Sequence, residues 1–188
     1  MSKIADTGQP RIEPEADPDD EQGRLLSKTL LTPDSEPLNL FRVLVRHPEL
    51  MKRVNALGGL FMAHNSVPAR EREMVILRVA WATACDYEYA QHVGIARRVG
   101  LTEKEIEDLG QHTDRGSWRQ EDIALLRLVD GILENGEAPN EAWRKVHSAL
   151  DDSQMLELVM LVGYYKMLAA FLNTVRVPLE EGQMGLPA

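Results

Sequence analysis

One nearly uninterrupted apolar segment constrains the fold of this chain more than any other feature. In residues 74–85 the only polar side chains are those of Arg78 and Thr83. Pro68 precedes the segment and suits the first turn of a helix, so a helix is predicted over 69–84. A helix that is apolar on nearly every side must lie at the centre of a fold, where other helices cover it.

The rest of the chain also has helical patterning. No segment shows the sustained alternation of apolar and polar residues that a half-buried strand requires. Gly100 suits the end of a helix, and Thr102 with Glu105 forms a capping box for the next one. We predict helices over 49–63, 69–84, 86–99, 103–109, 118–134, 140–150 and 153–174, with Asn140 and Asp152 or Ser153 as N-caps of the last two. The predicted fold class is all-α, with one folded domain over 23–188.

The first 22 residues differ in composition from the rest of the chain. They contain three prolines, seven acidic side chains and only two basic ones, which gives this segment a net charge of −5. It has almost no apolar residues to bury. We therefore predict that residues 1–22 form a flexible acidic arm, either disordered or loosely draped over the domain.

Charge and cysteine content exclude several classes of partner. The formal net charge is −9, so the surface repels phosphate backbones and anionic lipid headgroups. The single cysteine, Cys85, cannot form an intramolecular disulfide or a cysteine-rich zinc site. There is no signal-peptide pattern and no uncharged apolar run of about 20 residues. We expect a cytoplasmic protein that acts on a small molecule, without a nucleic-acid or membrane partner.

Ionisable residues on two neighbouring helices form the candidate site. Helical spacing places Cys85, Glu88 and His92 on one face of the helix over 86–99. On the preceding helix, Glu73 lies on an apolar stripe, where an acidic side chain is costly. A short turn joins the two helices, so they pack as an antiparallel pair and Glu73 can approach the other three residues.

Two interpretations of this cluster remain open on spacing alone. Neighbouring carboxyl groups away from water raise one pKa, a nearby imidazole is oriented, and a thiol at a helix N-terminus has its thiolate favoured, which together suit acid/base chemistry. In the alternative, Glu88 and His92 are an ordinary surface pair, Cys85 is a small buried hydrophobe and Glu73 faces a crevice. Three mixed ligands with one histidine are weak evidence for a metal, so none is predicted.

Three other residues are candidates for substrate binding. Arg78 could hold a substrate carboxylate, although its position opposite Glu73 also suits a structural ion pair with another acid. Tyr87 and Tyr89 flank the motif and could line a pocket, or serve as packing residues with solvated hydroxyls.

Residues 66–109 resemble the core motif of the carboxymuconolactone decarboxylase and alkylhydroperoxidase D-like family. That motif has a glutamate and, twelve residues later, the start of a C-x-x-C-x-x-x-H sequence, which corresponds here to Glu73, Cys85, Glu88 and His92. Glu88 stands in place of the second cysteine. A subgroup of the family has a Tyr-Glu-Trp-x-x-His signature, and residues 87–92 are similar to it, with tyrosine in place of tryptophan. The likeness extends weakly over most of the chain beyond the acidic arm.

The resemblance implies an alkylhydroperoxidase D-like helical bundle and an enzyme that needs no cofactor. The leading hypothesis is an acid/base decarboxylase, or a related lyase or isomerase, that acts on a small carboxylated or lactone substrate. Glu88 or His92 would then donate the proton, Glu73 would tune the donor and Arg78 would anchor a carboxylate. The alternatives are peroxidase-like thiol chemistry at Cys85 alone and a non-catalytic oligomeric protein that binds a small ligand.

The last predicted helix indicates an oligomer. Between Leu156 and Leu172 its only charged residues are Glu157 and Lys166. A chain of this length offers limited cover for a helix that is apolar on so many sides, so we predict a subunit interface there. The family resemblance implies the same, because members are typically trimers or hexamers.

Overall fold

The computed structural model describes residues 8–32, 34–111 and 118–187. Within these ranges the regular elements are helices, and the only β pairing is an isolated bridge between Leu31 and Pro37. The helices are α1 (Asp20–Leu26), α2 (Asn39–Leu44), α3 (Pro48–Ala63), α4 (Ala69–Ala82), α5 (Asp86–Arg98), α6 (Glu103–Asp108), α7 (Gln120–Asn135), α8 (Asn140–His147) and α9 (Asp152–Val175). The all-α prediction is confirmed.

The apolar segment that was predicted to be central does form the middle of the bundle. Residues 74–77 of α4, together with Val79 and Ala80, have no solvent exposure. α4 packs against α5, α7 and α9, so it is covered on three sides. Because apolar burial is the main favourable term in folding, this helix and its cover provide the rigid frame for the site.

A tight turn sets the arrangement of α4 and α5. Ala84 has a φ of 50°, in the left-handed region that residues other than glycine seldom adopt. This conformation lets the backbone N–H of Cys85 donate to the carbonyl of Ala80, at 2.9 Å. The chain therefore reverses within about three residues, and α5 runs back along α4.

The structure differs from the sequence-based prediction at the first residues of two helices, and it contains two short helices that were not predicted. The N-caps of α8 and α9 are Pro139 and Asp151, so each lies one residue or more before the predicted cap. Asp151 forms a capping box with Gln154. α1 and α2 were not predicted, although α1 begins with a capping box of Asp19 and Gln22 like the one that predicted α6.

The described part of the acidic arm lies along the helices. The backbone N–H of Arg11 donates to the carbonyl of Val175 at 2.8 Å. The backbone N–H of Glu15 donates to the carbonyl of Arg42 at 2.9 Å, and Arg42 Nε donates back to the carbonyl of Glu15 at 2.8 Å. α1 begins at Asp20, inside the predicted arm. Residues 1–7 lie outside the described part of the chain.

α9 is the longest described helix and is only partly covered. By length and composition alone it is apolar enough to cross a membrane, but half of its most apolar stretch is buried. That burial is the pattern of a core helix packed on α4. Its open side carries Leu156, Met160 and Met167, which are 70%, 58% and 54% exposed.

Candidate functional site

A cavity of about 960 Å³ lies beside α5. Residues from α2, α3, α5, α9 and the segment after α9 line it. Its volume is at the upper end of the range for small-molecule sites. Glu88 and His92 both line the cavity, whereas Glu73 and Cys85 do not. The apolar part of the wall includes Phe41, Met62, Tyr164, Tyr165 and Leu168.

Glu88 is a buried carboxyl group with no hydrogen-bond partner among the described residues. Its side chain lines the cavity, the residue is 2% exposed, and both carboxyl oxygens lack a partner. Burial raises the pKa of Glu88 well above its usual range, because a carboxylate loses its hydration there and gains no compensating charge or donor. This shift favours the protonated form of Glu88, which has a proton to donate.

His92 is oriented by Glu73. The distance between His92 Nδ1 and Glu73 Oε2 is 2.8 Å, so the predicted approach of these two residues is confirmed. Since Glu73 accepts a hydrogen bond from Nδ1, the other ring nitrogen, Nε2, is available to a ligand in the cavity. Tyr165 packs edge-on against the imidazole ring, with 5.2 Å between ring centroids, and fixes its plane.

Glu73 has no solvent exposure but remains ionised. Burial alone would raise the pKa of Glu73, but hydrogen bonds and charge from His92 and Arg72 outweigh burial and hold the pKa below its ordinary value. Arg72 Nε donates to Glu73 Oε1 at 2.8 Å. The pKa values of the two buried carboxyl groups, Glu73 and Glu88, are thus shifted in opposite directions, which suits one acid and one base.

Cys85 is not placed for thiol chemistry, which corrects the expectation of a favoured thiolate. The residue is at the N-cap of α5 but has no solvent exposure. Burial, and then the nearby Glu88, raise the pKa of the Cys85 thiol to about 12. The loss of hydration outweighs the helix N-terminus, so the thiol stays protonated and behaves as a small core side chain.

The two predicted aromatic residues have different environments. Tyr87 lines the cavity, and its hydroxyl donates to Glu180 Oε1 at 2.6 Å. Tyr89 lies away from the cavity and packs edge-on against Trp81, with 5.8 Å between ring centroids. Tyr87 remains a candidate site residue, whereas the geometry of Tyr89 is that of a packing residue.

Arg78 does not line the cavity, so the structure places it away from the position that a carboxylate anchor would need. Its guanidinium binds Asp130 through two nitrogens, at 2.6 and 3.0 Å. It also donates to the backbone carbonyls of Leu109 and Gln111. This is the structural ion pair of the alternative interpretation, and it ties α4 to α7.

Sequence reasoning missed three polar residues that surround the site. Arg72 stands next to Glu73 in the sequence, but only the fold shows that its side chain turns inward. The side-chain amide of Gln91 donates a hydrogen bond to Glu180, which lies 89 residues later in the sequence. No local sequence pattern reveals a contact between such distant residues. Within the described ranges no group of three or more His, Cys, Asp or Glu side chains is placed to hold a metal ion.

The raised pKa of Glu88 predicts a specific pH dependence of stability. Above about pH 4.3 the unfolded chain releases this proton while the folded chain keeps it, so the stability contributed by Glu88 falls by about 1.4 kcal/mol per pH unit until the folded pKa is reached. Glu88→Gln removes this titration. Urea unfolding of both proteins between pH 4 and 8 should show the variant gaining stability relative to the parent as pH rises. A pH-independent difference would contradict a neutral Glu88.

Comparison with known proteins identifies the family of the central segment. Residues 48–114 match the sequence model of the carboxymuconolactone decarboxylase family. This segment includes α3 to α6 and therefore all four residues of the motif. Comparison with curated proteins finds no significant match.

Several solved structures have the same fold. An alkylhydroperoxidase AhpD core, an uncharacterised peroxidase-related protein from Ralstonia eutropha JMP134, is 16% identical, with a TM-score of 0.72 and coverage of 87% of each chain. An uncharacterised peroxidase-related protein from Silicibacter sp. TM1040 is 15% identical, with a TM-score of 0.74, and the match covers 94% of this chain and 96% of that one.

A third similar structure is the debrominase Bmp8, as a cysteine-to-alanine variant in complex with 2,3,4-tribromopyrrole. It is 12% identical, with a TM-score of 0.71 and coverage of 94% of this chain and 95% of that one. At these identities the likeness shows the fold alone. The resemblance to carboxymuconolactone decarboxylase and alkylhydroperoxidase D-like proteins is confirmed, while membership of the Tyr-Glu-Trp-x-x-His subgroup stays a prediction.

Proposed function

We propose that this carboxymuconolactone decarboxylase-like chain is a cofactor-independent acid/base enzyme, a decarboxylase or a related lyase or isomerase, that acts on a small carboxylated or lactone substrate in the cytoplasm. Glu88 is the proton donor. His92, oriented by Glu73, is the partner that accepts or returns a proton through Nε2.

The observation that carries this proposal is the carboxyl group of Glu88, which has no hydrogen-bond partner among the described residues. A buried polar group without a partner is costly, so it persists where it serves a purpose. Here the unpaired group lines a cavity whose wall also holds His92. A carbonyl oxygen of a bound substrate would accept the hydrogen bond that Glu88 lacks.

A decarboxylation fits this arrangement with atoms and charge in balance. The bond between the substrate carbon and its carboxylate breaks, and its electron pair moves into an adjacent conjugated carbonyl while carbon dioxide leaves. Glu88 donates its proton to the enolate carbon, which gives the carbonyl product and leaves Glu88 as a carboxylate. Glu88 then regains a proton from water by way of His92. Without loss of carbon dioxide, the same two groups can shift a proton within a lactone.

The charged part of the cavity wall suits a substrate carboxylate. Arg98 on α5 and Lys28 after α1 line the cavity, and neither forms an ion pair with another described residue. Both lie at solvent-exposed positions. We place a carboxylate of the substrate near these two cations, at the solvent-exposed side of the cavity. The reacting carbonyl group of the substrate then lies next to Glu88.

Thiol chemistry at Cys85 has less support. Peroxidase-related proteins and a debrominase are among the structures with this fold. In this chain, however, the cysteine is fully buried, lies outside the cavity wall and has a pKa raised to about 12. The thiolate is the reactive species, and these surroundings suppress it.

The proposal is tested by proton NMR of the purified protein with a library of small keto acids, unsaturated acids and lactones in deuterium oxide. An acid/base enzyme should lose a library signal or exchange a carbon-bound proton for deuterium next to a carbonyl, and it should do so catalytically. Glu88→Gln should abolish that change. Line broadening of a ligand without any conversion would instead indicate a binding protein.

We also propose that the chain is a homo-oligomer, a trimer or a hexamer, assembled through the exposed apolar side of α9. Leu156, Met160 and Met167 recur at helical spacing on that side. An exposed apolar stripe of this kind is typical of a subunit interface.

Light scattering checks this assembly. At micromolar concentration the protein should have a multiple of its 21.2 kDa monomer mass. Met160→Glu should reduce that mass, because it places a charge in the interface. Met184→Glu is the matched control, because Met184 is 83% exposed but lies outside α9. A monomeric parent protein would refute the proposal.

A further inference from the structure

The segment after α9 forms one wall of the cavity. Residues 177–187 have no regular secondary structure, yet Glu180, Glu181, Gly182 and Gln183 line the cavity opposite the helices. Such a segment has no internal hydrogen-bond ladder to hold it in place. Its position therefore depends on its bonds to the body of the protein.

Glu180 makes three of those bonds, more than any other residue of the segment. Its Oε1 accepts a hydrogen bond from the backbone N–H of Asn39 at 2.9 Å and another from the Tyr87 hydroxyl at 2.6 Å. Its Oε2 accepts from the side-chain amide of Gln91. One carboxylate thus joins the C-terminal segment to the first residue of α2 and to two residues of α5.

The two contacts on α5 are next to the candidate catalytic residues. Tyr87 immediately precedes Glu88, and Gln91 immediately precedes His92. Residues four apart lie on the same face of a helix, so Tyr87 and Gln91 form one stripe beside the stripe of Glu88 and His92. A clamp on the first stripe fixes the rotation of α5, and this rotation decides where the second stripe points.

Tyr87 extends the same connection to α2. Its hydroxyl donates to Glu180 and accepts from the backbone N–H of Leu40, at 3.1 Å. The first two backbone N–H groups of α2 are therefore satisfied by Glu180 and Tyr87. Since these groups have no partner within a helix, the connection also stabilises the start of α2.

We infer that Glu180 is a positioning residue: its carboxylate clamps α2, α5 and the C-terminal segment together, so that Glu88 and His92 face a cavity closed to water on that side. This inference rests on the proposed function, for which Glu88 must remain a neutral acid. Glu180 acts through Tyr87 and Gln91 and does not itself touch the reacting atoms.

Three variants separate a clamp from a general structural role. Glu180→Ala removes all three hydrogen bonds, whereas Glu180→Gln keeps an oxygen that can accept from Asn39 and Tyr87. Glu181→Ala is the matched control, because Glu181 is the next residue and also lines the cavity. Its side chain forms no hydrogen bond or ion pair with another described residue, in contrast to that of Glu180. Tyr87→Phe removes one arm of the clamp and leaves Glu180 in place.

Two readouts that do not require the substrate are hydrogen exchange and the titration of Glu88. In Glu180→Ala the backbone amides of Asn39 and Leu40 should exchange about tenfold faster or more. The amide of Asn39 loses its acceptor, Glu180, and the amide of Leu40 keeps its acceptor, Tyr87, but Tyr87 loses its bond to Glu180. Carbon-13 NMR of carboxyl-labelled glutamate, assigned with Glu88→Gln, should show that the pKa of Glu88 falls toward its ordinary value as water enters. Glu181→Ala should change neither readout, and Glu180→Gln should change both less than Glu180→Ala.

The outcomes distinguish this inference from the proposed function. A parent protein in which Glu88 titrates in its ordinary range would refute the neutral acid, and with it the proposed function. A raised pKa of Glu88 that survives Glu180→Ala, with unchanged exchange, would refute the clamp alone. If Glu180→Ala does not fold, Tyr87→Phe decides: faster exchange of Leu40 and a lower pKa of Glu88 support the clamp, and no change in either overturns it.

Discussion

Glu88→Gln should lower turnover of the true substrate by about 10²–10⁴-fold, the range for loss of general acid/base catalysis. The substitution preserves shape and polarity but removes the only proton that this position can donate. Because Glu88 has no hydrogen-bond partner among the described residues, no contact within that part of the protein is broken. Steady-state kinetics at constant pH measure the effect, with circular dichroism to confirm that the variant is folded.

Cys85→Ala is the control for the same experiment. The thiol is fully buried and outside the cavity wall, so most of the activity should remain. Removal of a small buried side chain should mainly lower stability. The opposite ranking, in which Cys85→Ala is inactive and Glu88→Gln is nearly normal, would replace acid/base chemistry with chemistry of a single thiol.

Peroxide reduction by a disulfide relay should be absent in either case. A relay needs a second thiol to resolve the sulfenic acid formed on the first. The chain has one cysteine, and the position three residues after it is occupied by Glu88. Glu88 thus stands where the motif has its second cysteine, so this chain has no resolving thiol at that position.

Glu73→Ala should destabilise the protein by about 3–5 kcal/mol, the cost of removing one partner from a buried ion pair. Arg72 is 7% exposed, so its guanidinium would be left buried without its acceptor. His92 would lose the hydrogen bond that orients its ring, and turnover should fall as well. Urea unfolding at pH 7 measures the loss of stability, and kinetics under folding conditions measure the loss of activity.

Glu71→Ala is the matched control for this second prediction. Glu71 lies on the same helix, but its closest ion-pair contact, to Arg119, is 3.9 Å long and solvent-accessible. Surface pairs of this kind contribute about 0–1 kcal/mol, so this variant should remain close to the parent in stability and activity. Equal effects of the two substitutions would mean that Glu73 is not the centre of a buried network.

The motif in the sequence predicts part of the site because both of its halves obey local rules. Helical periodicity places Glu88 and His92 on one face of α5, and a short turn requires α5 to return along α4. These rules allowed Glu73 to approach them, and the structure shows that it does, with a 2.8 Å contact to His92. The apolar run over 74–85 likewise determined that α4 is the central helix.

Side-chain environment could not be obtained in this way, because it depends on residues that are distant in the sequence. Cys85 has the N-cap position that usually favours a thiolate, but cover from the rest of the bundle buries it and reverses the direction of its pKa shift. Arg78 has the charge that an anchor needs, but Asp130 on α7 binds it on the far side of α4 from Glu73.

The sequence by itself determined the helical class, the central helix and the shared face of Glu88 and His92, because these depend on residues within a few turns of one another. Only the tertiary structure decided which carboxyl group is neutral and which is charged. Arg72 and His92 donate to Glu73, whereas no described donor reaches Glu88. Hydration and hydrogen bonding set a pKa, and both are fixed by the packing of the whole chain.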